Sequence, residues 1–165
     1  MEVQLLLTTP HVTAYYDNTN KWLYLDWHGA LTLDMVRTSC LMIARCFLTR
    51  RFKRILNDNT NVSALTPDVA PWLAKEYLPY MRMVGIEYVA WVYSPNMDVQ
   101  NDTELALNKL STPVVALFDD MATAYEWLSS VRFKSPVMLT PSNMSVTQVI
   151  SELKNRIVAL GGSLF

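Results

Sequence analysis

Glycine is scarce in this chain, with four in 165 residues, at positions 29, 85, 161 and 162. A phosphate-cradling loop needs clustered glycines so that its backbone can approach the phosphate, and these four build neither a Walker loop nor a dinucleotide fingerprint. No nucleotide or other cofactor is therefore expected. Histidine is scarcer still. With only His11 and His28, and no cysteine–histidine spacing, no metal site is expected. Cysteine occurs twice, as Cys40 and Cys46. Six helical residues separate two side chains by about 9 Å, too far for a disulfide. Both are expected as reduced, buried thiols, with the cytoplasm as compartment. Excess charge of one sign is also missing. A formal net charge of −1 leaves no electrostatic footprint for nucleic acid. No apolar run reaches the roughly 18 residues of a membrane span. The opening "MEVQLLLTTPH", with an acid at position 2 and three consecutive leucines, makes a poor secretion signal.

What the chain does have is apolar side chains: 51% of residues, against 18% charged. That is a globular composition, and the length suits one domain that buries about 70% of its unfolded surface. The period of the apolar residues divides it into elements. Val3–Thr8, His11–Asp17 and Lys21–Gly29 alternate as three strands, with the turn Asp17–Asn20 joining the last two. From Thr32 to Thr49 the spacing of Val36, Cys40, Ile43, Ala44 and Phe47 becomes helical, with Thr32 as N-cap. "RILND" from Arg54 reads as a strand, and Asp58–Asn61 as a polar connection after it. Thr66-Pro67-Asp68 reads as a helix start, and Pro79 should kink that helix. Ile86–Tyr93 and Pro113–Asp120 read as buried strands. Asp98–Leu110 and the stretch from Met121 read as helices, and Pro136–Thr140 as a short strand. A capping box at Ser145 and Gln148 opens a last helical stripe that runs through Leu160 to Gly161. A hairpin followed by strand–helix repeats implies an α/β fold, its sheet mixed, with an N-terminal antiparallel hairpin and later strands parallel. Residues 1–134 are expected to form the domain, and 135–165 an extension whose helix covers the domain or a second copy in a homodimer.

Four segments carry a family resemblance: "WLYLDWHG" at Trp22–Gly29, "LNDNTNV" at Leu56–Val62, "AWVYSPN" at Ala90–Asn96 and "FDDMATAYEWL" at Phe118–Leu128. On these the chain resembles the STAS and SpoIIAA-like group, the bacterial anti-sigma-factor antagonists and their uncharacterised relatives, over about residues 11–131. The resemblance implies a SpoIIAA-like sheet and a regulatory, protein-binding role. In the antagonists a serine at the start of the helix after the central strand is phosphorylated by a partner kinase. Here Thr66 and Pro67 fall on the first two motif positions and Asp68 on the acceptor, so the chain lacks the serine that such a switch requires.

Ligands of open α/β sheets bind beyond the carboxyl ends of the strands. Those ends supply a candidate rim of His28, Asp58, Asn59, Thr60, Asn61, Ser94, Asn96, Asp119 and Asp120. Asn and Asp also favour turns and caps whatever the function. A hydrolase reading would take His28 and Asp58 as acid–base pair and Ser94 as nucleophile, yet Ser94 precedes Pro95 without a Gly-x-Ser-x-Gly elbow. Arg45, Arg50, Arg51, Lys53 and Arg54 follow a helix end, where cations match the dipole and stay solvated. The sequence therefore points to a non-enzymatic module acting on a protein partner. The alternative is a binder of a small apolar ligand or lipid in an aromatic-lined pocket.

Overall fold

Strand alternation in the first third of the chain folds into an antiparallel meander. β1 (Val3–Thr8), β2 (Val12–Asp17) and β3 (Trp22–Leu31) pair in succession. The computed structural model describes residues 2–96, 101, 103, 104, 106–108, 110–132 and 145–159. The expected strand Pro136–Thr140, the helix start at Asp98 and the helix end at Leu160 and Gly161 lie outside them. In the β2–β3 turn the Asp17 carboxylate accepts the backbone N–H groups of Thr19 at 2.8 Å and Asn20 at 3.0 Å.

α1 (Leu33–Arg45) starts at Thr32, whose hydroxyl accepts the Met35 N–H at 3.5 Å. It ends at Arg45 rather than Thr49 and tightens into a 3₁₀ turn, Cys46–Leu48. β4 (Arg54–Leu65) is far longer than "RILND", because the polar residues Asn59–Asn61 continue the strand rather than turn it. Thr66 is correspondingly not the N-cap of the next helix. α2 (Val69–Trp72) begins after Asp68, and the Thr66 hydroxyl lies 2.7 Å from the Asp68 carboxylate.

Pro79 acts as the sequence suggests, though by a different distortion. Proline lacks the N–H that would bond four residues back. The helix widens just before it into a π turn, Leu73–Tyr77, closed by a bond from Leu78 N–H to the Leu73 carbonyl. α3 (Leu78–Met83) continues, and β5 (Tyr88–Val92), β6 (Val114–Phe118), α4 (Met121–Ser130) and α5 (Val146–Ala159) follow.

The six strands lie in chain order in one sheet, antiparallel from β1 to β3 and parallel from β3 to β6. β6 is therefore an edge, and its residues are half-exposed or exposed rather than buried. One face, bearing Leu23, Leu25, Trp27, Ile55, Val89 and Trp91, packs under α1, α2 and α3 as the main core. The other, bearing Trp22, Leu56, Ala90 and Val92, receives α4 through Ala124 and Leu128. Arg54 is not a solvated dipole-matched cation. Its guanidinium donates to the Leu128 carbonyl at 2.9 Å and to that of Asn20, and lies 5.2 Å from the Trp22 ring centre. Arg50 lies 3.9 Å from the centre of the Tyr16 ring.

The Ser145–Gln148 capping box forms reciprocally, at 3.2 and 2.7 Å. α5 packs on α1, the 3₁₀ turn and α3, and buries Val146, Val149, Ile150, Leu153 and Ile157 in the main core. Arg156 adds a bidentate pair to Glu76 at 2.9 and 3.2 Å. An amphipathic helix of this length is marginal alone, so the burial holds it in place. Leu153 is fully buried, and Leu153→Ala is expected to lower stability by about 2–5 kcal/mol, measured by urea denaturation. A loss near zero would mean that α5 does not belong to the cooperative unit.

Candidate functional site

Three consecutive polar residues, Asn57, Asp58 and Asn59, are buried in the middle of β4, between 5 and 8% exposed. A buried polar group costs stability unless it is hydrogen-bonded, so each partner matters. Strand alternation sends Asn57 and Asn59 to the main-core face and Asp58 to the opposite one. The candidate rim is thereby divided between two faces.

On the α4 face, Asp58 accepts the Thr60 N–H at 2.9 Å, the Thr60 hydroxyl, and the Tyr24 hydroxyl at 3.3 Å. Asp26, its register partner on β3, accepts from Asn61 at 3.5 Å. Tyr24 stacks on Tyr15, its partner on β2, with ring centres 5.6 Å apart. Burial, with the Asp58 and Asp26 carboxylates next in weight, pushes the Tyr24 phenol far above its ordinary range.

On the main-core face, the polar side chains replace ladder bonds. β5 stops at Val92 while β4 runs on to Leu65. The chain after β5 is tied to β4 by three side chains: Asn59 Nδ2 donates to the Val92 carbonyl at 3.0 Å, the Ser94 hydroxyl to Val62 O at 2.7 Å, and Asn96 Nδ2 to Ser63 O at 3.3 Å. Ser94 also accepts the Asn96 N–H at 3.2 Å. Its proton is committed to a carbonyl and not to a base. His28 is half-buried on β3 in register with Asn61, where two bulges disturb the β3–β4 ladder. Asp120 caps α4, accepting the Thr123 N–H at 2.8 Å, which holds its carboxyl below the usual range. Asp119 precedes it, exposed. Thr66 and Asp68 lie on the exposed turn after β4.

Behind these residues lies an aromatic-lined cavity of the kind the alternative reading expects, at a place the sequence did not indicate. It lies between β3, β4 and β5 and the layer of α1, α2, the π turn and α3. Trp27, Trp91, Cys40, Leu73, Tyr77 and Asn57 are among its walls, and its water-sized volume is about 40 Å³. That holds a few waters or a small fragment. A lipid chain needs a site nearer the usual roughly 300–1,000 Å³. Asn57 accepts the Trp27 indole N–H at 3.0 Å. An indole nitrogen only donates, so the Asn57 oxygen must face it, and the amide nitrogen is left with no partner among the described residues. The Tyr77 hydroxyl, 4% exposed, has no oxygen or nitrogen partner there and sits beside the Cys40 thiol. Burial pushes both the phenol and the thiol well above their ordinary values. Both cysteines are free; Cys40 is buried, whereas Cys46 is half-exposed rather than buried as expected. Among the described residues no group of three or more His, Cys, Asp or Glu could hold a metal ion, and no helix is long and apolar enough to cross a membrane.

A search for the fold among solved structures finds an uncharacterised protein of the DUF3478 family, with a SpoIIAA-like fold, from Shewanella loihica PV-4. It is 17% identical, with a TM-score of 0.51, over 74% of this chain and 98% of that one. The chain thus has a SpoIIAA-like, STAS-like fold. No family model matches the sequence. No curated protein matches it either.

Raised tyrosine values have a definite sign. A phenol bound more tightly to its proton in the folded state contributes stability that is complete below the unfolded value and is lost as pH rises through the folded one. Stability should therefore decline as the pH passes about 10, and Tyr24→Phe should flatten that decline in urea melts. An unchanged alkaline slope would show that Tyr24 ionises freely.

Proposed function

We propose that the chain is a non-enzymatic, STAS-like protein-interaction module that docks its partner on the hairpin half of the α4 face. The observation that carries this reading is the row Leu5, Tyr15 and Tyr24. It runs across β1, β2 and β3, with Leu5 59% exposed and Val3, one row away on the same face, 42% exposed. α4 packs chiefly on β4, β5 and β6, and of this row Tyr24 borders the cluster beneath it. Stacked tyrosines on a fixed sheet beside exposed aliphatics make a surface of interface character, with rigid amphipathic rings that lose little entropy on contact. β1 is also the outer strand, and its "VQLLLT" holds no lysine or proline of the kind that blunts edges. A second copy pairing along β1 is the homodimer this surface supports.

The non-enzymatic part rests on Ser94, whose hydroxyl is spent on Val62 O. The kinase-type switch is set aside because Asp68 occupies the acceptor position. Two free thiols fit a reducing compartment, the cytoplasm. A second reading, binding of a small apolar ligand, is favoured by the cavity behind Trp27.

A photo-crosslinking residue placed at Leu5 in host cells should give one discrete adduct, and the same residue at Glu126 on the exposed side of α4 should not. An adduct at the mass of two chains identifies self-pairing, and another mass a different protein. Equal labelling at both positions would reject this surface.

A further inference from the structure

We propose that the cavity beneath α1 and the π turn is a binding site for a small, neutral molecule with a hydrogen-bond acceptor and a compact apolar body, held by Asn57 Nδ2 and the Tyr77 hydroxyl. The inference rests on the ligand-binding reading above and names the chemistry that reading leaves open.

Asn57 carries the argument. Its oxygen is fixed by the Trp27 indole, so its amide cannot turn to present an acceptor. What it offers is two N–H donors, 5% exposed and unpartnered among the described residues. Tyr77, on a second wall of the same cavity, offers a hydroxyl that has no oxygen or nitrogen partner among the described residues and lies beside the Cys40 thiol. Donors on both walls select an acceptor such as the oxygen of a ketone, amide, ester or alcohol. The rest of the lining is mainly apolar, with Leu73, Trp27 and Trp91 among it, and suits a compact hydrocarbon body. Among the described residues, no lysine, arginine or histidine lines the cavity. A carboxylate would enter without a counter-charge, which burial penalises heavily, so the ligand is neutral. The volume of about 40 Å³ limits it to a few heavy atoms.

One wall is an unusual one. Leu73 and Tyr77 are the first and last residues of the π turn, and both line the cavity. An isolated π turn inside an α-helix often sits at a functional site. Here its extra residue swings Tyr77 against Cys40 and over Trp72, whose ring centre is 5.9 Å away.

The test uses the full chain and three probes: acetone, acetate as its charged isostere, and xenon as an apolar atom with no acceptor. The reporter is the Trp27 indole N–H in a proton–nitrogen correlation spectrum, assigned with Trp27→Phe. Acetone should shift it saturably, and acetate should leave it unmoved. Tyr77→Phe should weaken acetone binding about two- to tenfold. Asn57→Leu should lose acetone, read at the Trp91 indole, while keeping xenon. If xenon binds and acetone does not, the cavity takes apolar guests but the acceptor chemistry is wrong. If acetone and xenon both fail, the ligand reading falls with it. Equal binding of acetone and acetate would overturn the neutrality of the ligand. Because Tyr77→Phe removes one oxygen and leaves the ring in place, the proposal stays falsifiable even if Asn57→Leu does not fold.

Discussion

The parallel pairing of β3 with β4 is the constraint on which the rest of the molecule depends. It is where the sheet changes sense, from an antiparallel meander to a parallel half. The meander returns along each edge within a few residues, while every parallel neighbour requires a helical crossover. β3 is shared by both halves, so an error in its register against β4 would displace the hairpin and the crossovers together. The pairing is long and irregular, with shifts between Asp26 and His28 and between Gly29 and Ala30. Gly29, at φ 90°, takes the conformation that side-chain-bearing residues rarely adopt. The Trp27–Asn57 hydrogen bond spans this ladder from the side-chain layer. It ties a β3 ring to a β4 amide next to the first shift.

The order of the elements was legible in the sequence because period two and period 3.6 are local signals. What was not legible followed from partners far along the chain. "DNTN" at residues 58–61 has the composition of a turn, and the reading of it as a connection was wrong. Those residues form strand because β3 continues beside them; Asp58 bonds along the strand to Thr60, and Asn59 and Asn61 bond across to Val92 and Asp26. "VVALF" has the composition of a central strand, yet it lies at the edge, since strand order is a property of the whole sheet. Thr66 resembled an N-cap because the sequence could not show that β4 runs to Leu65, which moves the helix start to Val69. The candidate rim was legible only as a list. Its members divide between the two faces because of strand alternation, which becomes apparent once Asn59 is known to be in a strand. Asn57 was legible only as an Asx residue expected to bond to neighbouring backbone, whereas its oxygen accepts the Trp27 indole N–H. Its one signal was an amide within an otherwise apolar run, and that signal does not distinguish a structural bond from a site.

The two sheet faces are unequally covered. One receives α1, α2, α3 and, beyond them, α5, and forms a continuous core from Val12 to Ile157. Among the described residues the other receives α4 alone, around a six-residue cluster of fully buried side chains. α5 follows from the first of these. Its five apolar side chains add a further layer over helices instead of covering the open sheet face. The asymmetry places the rigid, deeply packed side next to the cavity, and the open side next to the surface proposed for docking. A contact on β1 and a guest near Trp27 would meet through β3, whose alternate residues Tyr24 and Trp27 project to opposite faces.

Three adjacent buried polar residues in a central strand run against stability. Replacing a bonded pair of buried polar groups by apolar groups of the same shape is often nearly neutral, whereas leaving one partner unsatisfied costs about 1–3 kcal/mol. Asp58 and Asn59 escape that cost. Their bonds to Thr60, Tyr24 and Val92 satisfy both side chains and hold β4 to its neighbouring strands, so register accounts for them. Asn57 does not escape it. A threonine or serine could accept the Trp27 indole N–H as well, with a smaller side chain and only one hydrogen left to satisfy. The amide places two donors in an apolar cavity where no described residue receives them. A strand under selection for stability alone has no use for them. Of the three residues, Asn57 is therefore the one whose chemistry exceeds what the fold requires, and it is the one that faces the cavity.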